Sequence, residues 1–491
     1  MLSSRGGGEA LKRDLGALAG REHDVVIVGG GIHGVATAWE AASRGLRTAL
    51  VEADDFGSGT SWNSLKTIHG GLRYLQTLDL ARMRESIRER RTLLAIAPAL
   101  VRPLPFVVPT YGHGARGREA LAVGLWLNDA VSADRNRGLA ADRRIPPARL
   151  LSRGEILDLF PGIPAEGLSG GACWTDAQVE SSERLTVAFA RAAADAGAVL
   201  CNHVEVVAFR RRDGAVVGVR GRDRIGGGEV DVGARVVLNA AGPGMDALLA
   251  LAGIRRPPTP LLRAMNLVLS RNLVGRQALG SSSGGRFLFL VPWRDRSIVG
   301  TAYWPTGAPD SRDVAEFVDE VRRAYPWADV SANDVALVHR GLVPGRGGAA
   351  GLATRHALLD HAALDGVRGL VSVQGVKYTT ARGVAEETLD LVLRRLGRPP
   401  VPSRTRSLPL EHARPLEGSL AARARAAARD EMAVTLADAV LRRLDLGTVG
   451  PAAPEDVDVV EGAMAEELGW SPERSAAERA ALLAAQVNLG A

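Results

Sequence analysis

Four apolar residues, Val25 to Val28, run into Gly29, and beyond the glycines Val35, Ala38, Trp39 and Ala42 recur at helical spacing. That change of period predicts a buried strand, a tight turn and then a helix. A second apolar run at 48–51 predicts another strand and stops at Glu52. Residues 80–97 read as a charged helix ended by Pro98, and Phe106-Val107-Val108 as a strand among prolines. The stretch 120–131 is an apolar helix with Trp126 near its middle and basic residues on either side. Such a segment suits either domain packing or an interfacial position on a membrane.

Further along, 184–196 reads as a helix and 205–210 and 215–220 as strands, and 236–243 is a strand ending in small residues. Strands follow at 263–270 and at 287–301, the latter a hairpin turning at Arg294-Asp295-Arg296. Residues 335–343 and 369–373 predict two more, and Gly375-Val376-Lys377-Tyr378-Thr379-Thr380 opens a helix running to about 395. Beyond Pro399 the texture becomes Ala- and Arg-rich. Met432, Leu436, Val440 and Leu444 form an i,i+4 stripe that predicts a helix, and Pro472 after Ser471 marks another helix start. No internal repeat is evident.

The first turn, Gly29-Gly30-Gly31-Ile32-His33-Gly34, joins strand to helix and so carries a specific chemistry. Gly29 allows the tight turn, Gly31 lets backbone approach a pyrophosphate, and Gly34 lets the helix pack close to the strand. The helix N-terminus then faces the phosphates. Glu52, at the end of the second strand, can accept ribose hydroxyls and would repel a 2′-phosphate.

Composition narrows the class. The chain has 491 residues, 46% of them hydrophobic, enough for two or three domains. Cys173 and Cys201 are its only cysteines, which excludes a disulfide scaffold and fits a reducing compartment. The first 22 residues lack a signal-peptide core, and no run of 18 uncharged apolar residues occurs. A net charge of +6 allows attraction to anionic lipids or substrates, while 4% aromatics and the absence of a nucleic-acid motif argue against nucleic acid. No cluster of cysteines suggests a metal.

Lysine usage points to a second motif. Of 61 basic residues only Lys12, Lys66 and Lys377 are lysines. An ammonium is a compact point charge that the planar guanidinium does not replace. Lys66 and Lys377 are therefore site candidates, the first inside Thr60-Ser61-Trp62-Asn63-Ser64-Leu65-Lys66-Thr67-Ile68-His69-Gly70-Gly71-Leu72-Arg73-Tyr74.

These residues together resemble the FAD-dependent glycerol-3-phosphate dehydrogenases, members of the D-amino-acid-oxidase-like flavoprotein group. The similarity spans about 24–398 and is most specific in His69-Gly70-Gly71-Leu72-Arg73-Tyr74, with Thr354-Arg355 and Lys377-Tyr378-Thr379-Thr380 supporting it. The resemblance implies an α/β (α+β overall) fold: a Rossmann-type FAD-binding domain, an inserted antiparallel-sheet substrate domain and a helical C-terminal domain. Its expected limits are an N-terminal extension at 1–22, an oxidoreductase region at 23–400 and the helical domain at 401–491. Within the region, FAD-binding segments fall at about 23–100, 170–250 and 355–400, and substrate segments at about 101–169 and 251–354.

The activity implied is oxidation of sn-glycerol 3-phosphate to dihydroxyacetone phosphate by hydride transfer to FAD, with a quinone as acceptor. The enzyme would sit in the cytoplasm, peripherally on the inner face of the membrane, and a homodimer is left open. Arg73, Tyr74, Arg340, Arg355 and Lys377 would surround the substrate. Gly29, Gly31, Gly34, Glu52, Thr60, Ser61, Ser64, Lys66, Val206, Ala241, Gly242, Gly375, Lys377 and Thr379 would hold the cofactor. Arg73, Arg340, Lys377 and His69 would be catalytic, although His339 and His356 also lie in site motifs and the base stays open among the three histidines. The chain departs from the family's usual residues at Trp62, Asn63, Leu65, Ala302-Tyr303, Gly341 and Val376. Arginine pairs bind carboxylates as well as phosphates, so a related oxidase or dehydrogenase of a hydroxy acid or amino acid is the alternative. A flavin-binding protein without turnover is the reading from a different class.

Overall fold

A computed structural model describes residues 10–112, 114, 118–283, 285–306, 310–346 and 351–487. By contacts the described residues divide into two units: 10–62, 181–261 and 342–487 in the first, and 63–180 and 262–341 in the second.

In the first unit the strand His23–Val28 is buried at every position, as an apolar run covered on both faces requires. It pairs in parallel with Thr48–Val51 on one side and Glu229–Asn239 on the other. Val199–Cys201 extends the sheet beyond the former; Leu370–Gln374 and then Ala357–Asp360 extend it beyond the latter. A hairpin of Val204–Arg212 and Ala215–Asp223 continues onto the start of Glu229–Asn239. The helices Ser182–Asp195 and Ala381–Arg395 both pack on Ile32–Ser43, with Trp39 edge-on to Phe189 at 5.5 Å. The central strand is thus flanked by two parallel strands, the arrangement that opens a crevice at their C-terminal ends.

The helices beyond residue 400 belong to this same unit. Ser419 caps Leu420–Asp430, and Pro454–Leu468 and Pro472–Val487 follow. The stripe Met432, Leu436, Val440 and Leu444 is buried throughout, but it does not form the single helix that its spacing predicts. Met432 has a φ of 55°, and a short π-helical segment, Asp438–Arg443, carries Val440, with Leu436 before it and Leu444 after it. Arg442 and Arg443 in that segment pair with Asp55, and Arg442 also with Asp438.

The second unit is a nine-stranded sheet in the order Val335–Pro344, Leu261–Leu269, Arg296–Pro305, Arg286–Trp293, Ala278–Ser283, Val101–Tyr111, Leu168–Val179 and Thr67–Ile68, with Arg149–Leu151 also on Leu168–Val179. The expected hairpin at 294–296 is present. Stretches 63–100 and 170–180, read with the cofactor segments from sequence, fall in this unit, because Thr67–Ile68 pairs with Leu168–Val179. One face is covered by the helix Asp310–Ala324, whose Phe317 and Val321 are fully buried in a core with Leu288, Leu290 and Val299.

The helix Arg118–Val131 packs on Leu168–Val179 and beside the 3-10 segment Leu72–Thr77. Leu125 points inward, while Val123 and Trp126 are 68% and 72% exposed on the far side. Leu78 and Leu80, which follow the 3-10 segment, are also exposed.

Candidate active site

In the first unit the glycine turn closes as its spacing predicts. Gly29 has a φ of 111° and donates its N–H to the Val51 carbonyl at 2.9 Å. A methyl group on it would meet the Ala240 carbonyl oxygen at 2.6 Å, so the second crossing strand passes directly beside the turn. At Gly34 a methyl group would lie 1.8 Å from the Gly29 oxygen, which leaves room for hydrogen alone. Helix and strand meet backbone to backbone here.

Ser61 accepts a hydrogen bond from the Ile32 N–H at 2.9 Å, at the start of the helix Ile32–Ser43. Thr60 both donates to the Leu342 carbonyl and accepts from the Leu342 N–H. Glu52 accepts from the backbone N–H groups of Gly30 and Asp54, and burial pushes its carboxyl pKa up despite those two bonds. Val206 sits at a bulge in its hairpin, nearly buried. Ala241 and Gly242 begin a short helical turn directly after Glu229–Asn239.

The Leu370–Gln374 strand delivers Gly375, Lys377 and Thr379 ahead of the helix Ala381–Arg395. Lys377 is half-buried, and that burial lowers its ammonium pKa to about 8. The His33 ring rests against Gly375, where a methyl group would meet ring atoms at 2.1–2.4 Å. Burial, aided by the charge of His356, drives His33 down to about 4, so it is neutral across the working range. His33 went unassigned in the sequence because a histidine between the glycines looks like any helix-start residue. His356 pairs with Glu387 at 2.9 Å, and Arg355 beside it is exposed.

In the second unit, Lys66 is fully buried at a φ of 56°, with its ammonium 5.2 Å from the centre of the Trp293 ring. The N–H of Lys66 donates to the Ser64 hydroxyl at 3.2 Å. His339 is buried as well, its Nδ1 3.2 Å from the Ser64 carbonyl. Asn63, one of the departures from the family pattern, accepts from the Arg340 N–H at 3.1 Å. The changed residue therefore braces the strand that carries Arg340. Tyr303, another departure, has its hydroxyl pKa raised by burial, against the pull of Thr301 and Arg73.

His69 is half-exposed and its Nδ1 lies 3.3 Å from Asp176. Burial would raise the Asp176 carboxyl, but the His69 hydrogen bond, the Arg90 charge and the Gly70 N–H bring it down to about 2. At neutral pH it is ionised. Arg73 is exposed in the 3-10 segment, and Arg82 stacks on the Tyr74 ring at 4.7 Å. Asp176 and Arg90 carry no motif that could have singled them out, since each meets His69 or Gly70 only through the fold.

A Gly-rich turn at a helix N-terminus, a second strand passing beside it and an acidic residue after the next strand together define a dinucleotide-binding fold. The sequence pattern of the FAD dependent oxidoreductases matches residues 24–391, so the fold's cofactor is FAD, and that of the C-terminal domain of alpha-glycerophosphate oxidase matches 401–475. The chain belongs to the FAD-dependent glycerol-3-phosphate dehydrogenase family: it is 34% identical over 420 residues to the glycerol-3-phosphate dehydrogenase of Synechocystis sp., covering 80% of this chain and 74% of that one. Against the glycerol-3-phosphate dehydrogenase of Mycobacterium leprae it is 34% identical over 381 residues, 75% of this chain and 63% of the relative. A glycerol-3-phosphate dehydrogenase from Bacillus halodurans complexed with FAD has the same fold, with a TM-score of 0.73, 21% identity and coverage of 96% and 95%.

Proposed function

We propose that this protein oxidises sn-glycerol 3-phosphate to dihydroxyacetone phosphate and passes the electrons to a quinone at a membrane surface. The observation that carries the reading is the 34% identity with glycerol-3-phosphate dehydrogenases over 80% of the chain. When bound, FAD supplies the acceptor for the hydride that leaves carbon two of the substrate.

The chain's own residues do the rest. Gly29, Gly31 and Gly34 admit the pyrophosphate, with Ser61, Ala241, Gly242 and Thr379 as neighbours of the cofactor and Glu52 as acceptor of its ribose hydroxyls. Each unit supplies candidates for the substrate phosphate, whose oxygens match a guanidinium fork: Arg73 and Arg340 in the second, with Tyr74 as a hydroxyl donor, and Arg355 in the first. Lys377 stabilises the negative charge that develops as the hydride departs. His69, oriented through Nδ1 by the ionised Asp176, keeps Nε2 for the proton of the substrate hydroxyl.

Replacing Arg340 or Arg355 with Ala should weaken kcat/KM for glycerol 3-phosphate by at least about 2 kcal/mol each, the worth of a hydrogen bond to a charged group. Flavin content should stay at the wild-type level. Wild-type kinetics in both variants would remove the phosphate-clamp assignment.

Among the described residues no helix is long and apolar enough to cross a membrane. Exposed Val123 and Trp126 on one helix, with Leu78 and Leu80 beyond the neighbouring segment, support shallow insertion instead. The expected result is sedimentation with anionic vesicles that weakens with salt and is lost in Trp126→Asp. A wild-type protein that never sediments would count against a membrane quinone. The oxidase-type C-terminal domain match makes oxygen the second reading for the acceptor.

A further inference from the structure

A cluster of buried charge in the first unit lies where residues 431–443 meet the segment that follows Thr48–Val51. Asp55 is fully buried and accepts from both Nη atoms of Arg443, at 2.6 and 2.8 Å. It also accepts from Arg442 Nε at 2.6 Å and Asn202 Nδ2 at 2.9 Å. Burial would raise the Asp55 carboxyl, yet the two arginines hold it far below the usual carboxylate range. Arg442 also reaches Asp438 at 2.8 Å, and Asp438 pairs with His203 at 3.0 Å.

One of these residues, His203, also meets the turn that begins at Glu52. His203 donates its N–H to the Asp54 carbonyl at 2.7 Å, and the next N–H, on Val204, donates to the Glu52 carbonyl at 2.7 Å. The Asp54 N–H donates to the Glu52 side chain at 2.8 Å, and Gly57 donates back to Gly30 in the glycine turn at 3.0 Å. The Glu52 N–H donates to the Cys201 carbonyl at 3.0 Å, continuing the pairing of the strand before it, and because residues 52–60 carry no helix or strand the remaining bonds set the path of the turn beyond Glu52. The C-terminal domain also grips the other end of the nucleotide motif, because Ser403 donates to Glu40 at 3.0 Å and Thr405 donates to the same carboxylate, on the helix Ile32–Ser43.

We propose that Arg442 and Arg443 are positioning residues for the cofactor: the C-terminal domain fixes the 52–57 turn through Asp55, and FAD retention depends on that hold. The claim rests on Glu52 as the ribose acceptor, proposed above. A buried ion pair that loses one partner leaves an uncompensated charge, which shifts the turn that carries it. Arg442→Gln is the gentler test, since Arg443 still neutralises Asp55.

The experiment follows FAD loss from the full-length holoenzyme after dilution, and FAD rebinding to the deflavinated protein by flavin fluorescence. Arg442→Gln should weaken FAD binding about 10- to 100-fold, the scale on which supporting partners act at metal sites. At saturating FAD its kcat and KM for glycerol 3-phosphate should stay near wild type. Arg442→Lys, which keeps the charge but lacks the fork that bridges Asp55 and Asp438, should fall between the two and keeps the test open if the glutamine variant folds poorly. Glu431→Gln breaks the paired bonds from Arg184 instead and should lower the melting temperature without changing FAD affinity. Equal FAD loss in Glu431→Gln and Arg442→Gln would overturn the proposal, because any loosening of the domain would then suffice.

A double-mutant cycle separates the proposal from its premise. In a Glu52→Ala background the effect of Arg442→Gln should largely vanish, whereas full additivity would overturn the positioning role. If Glu52→Ala alone leaves FAD affinity unchanged, the ribose assignment fails. If Glu52→Ala weakens FAD but Arg442→Gln does not, the positioning claim alone fails.

Discussion

Lys377→Met should leave FAD bound and slow its reduction by glycerol 3-phosphate by about 10²- to 10³-fold, the loss expected when one preorganised donor is removed from a developing oxyanion. Lys377 stands just past the strand Leu370–Gln374, half-buried, where desolvation lowers its ammonium pKa to about 8. The sign of the pH dependence follows. Below about pH 8 the side chain is charged and can stabilise anionic character; as pH rises through 8 the charge is lost, so flavin reduction by the wild type should slow on that limb. Lys377→Met should lack the limb altogether. Lys377→Arg should recover little, because a guanidinium does not place a point charge where an ammonium does. Stopped-flow reduction of the variants across pH 6.5 to 9.5 (roughly one and a half units either side of the shifted pKa) checks this, and a wild-type rate in Lys377→Met would remove the lysine from the chemistry.

Gly34→Ala should abolish FAD binding. Its Cβ would lie 1.8 Å from the Gly29 carbonyl oxygen, a backbone atom that cannot swing aside, so the helix Ile32–Ser43 must lift from the strand His23–Val28. Overpacking of this kind costs about 1–3 kcal/mol of stability, and it also displaces the N–H groups that meet the pyrophosphate. A glycine in a C-terminal helix offers the control. A Cβ on Gly462, within Pro454–Leu468, meets nothing within 4 Å, so Gly462→Ala should keep its flavin and gain up to about 1 kcal/mol from the better helix former. Flavin absorbance per protein and thermal melting read both variants. Full flavin content in Gly34→Ala would mean that close strand–helix contact is not what admits the cofactor.

Much of the first unit is legible in sequence because its signals are local. The apolar run before Gly29, the helical period after it and the strand ending at Glu52 each carry their signal within their own few residues, and the structure forms them where the periods change. The strand before Gly375 and the helix after Thr380 are legible for the same reason. What escapes the sequence is long-range. The buried Met432–Leu444 stripe has the spacing of a helix, but pairing with Asp55, nearly 400 residues earlier in the chain, redirects Arg442 and Arg443 and leaves a π-helical segment. Thr67–Ile68 is too short to show its period, so its place in the antiparallel sheet emerges only from pairing with Leu168–Val179.

The site shows the same division. Arg73, Lys66 and His69 stand out by motif and Asn63 as a departure from it, whereas Asp176, which holds His69, stands out only by contact, and so does the hold of Asn63 on the Arg340 backbone. The three candidate histidines lie in different surroundings. His339 is buried against Trp293, His356 is tied to Glu387, and His69 keeps one ring edge toward solvent and the other on a carboxylate that stays ionised.

The central claim is that glycerol 3-phosphate is the electron donor to the bound flavin. The most direct test adds it, without oxygen, to the purified yellow protein and follows the flavin band, with glycerol, lactate and glycine as comparisons. The account predicts bleaching by glycerol 3-phosphate alone, with dihydroxyacetone phosphate formed in equal amount and the colour restored by a quinone. A flavin that stays oxidised under glycerol 3-phosphate, or bleaches with lactate or glycine instead, would contradict it.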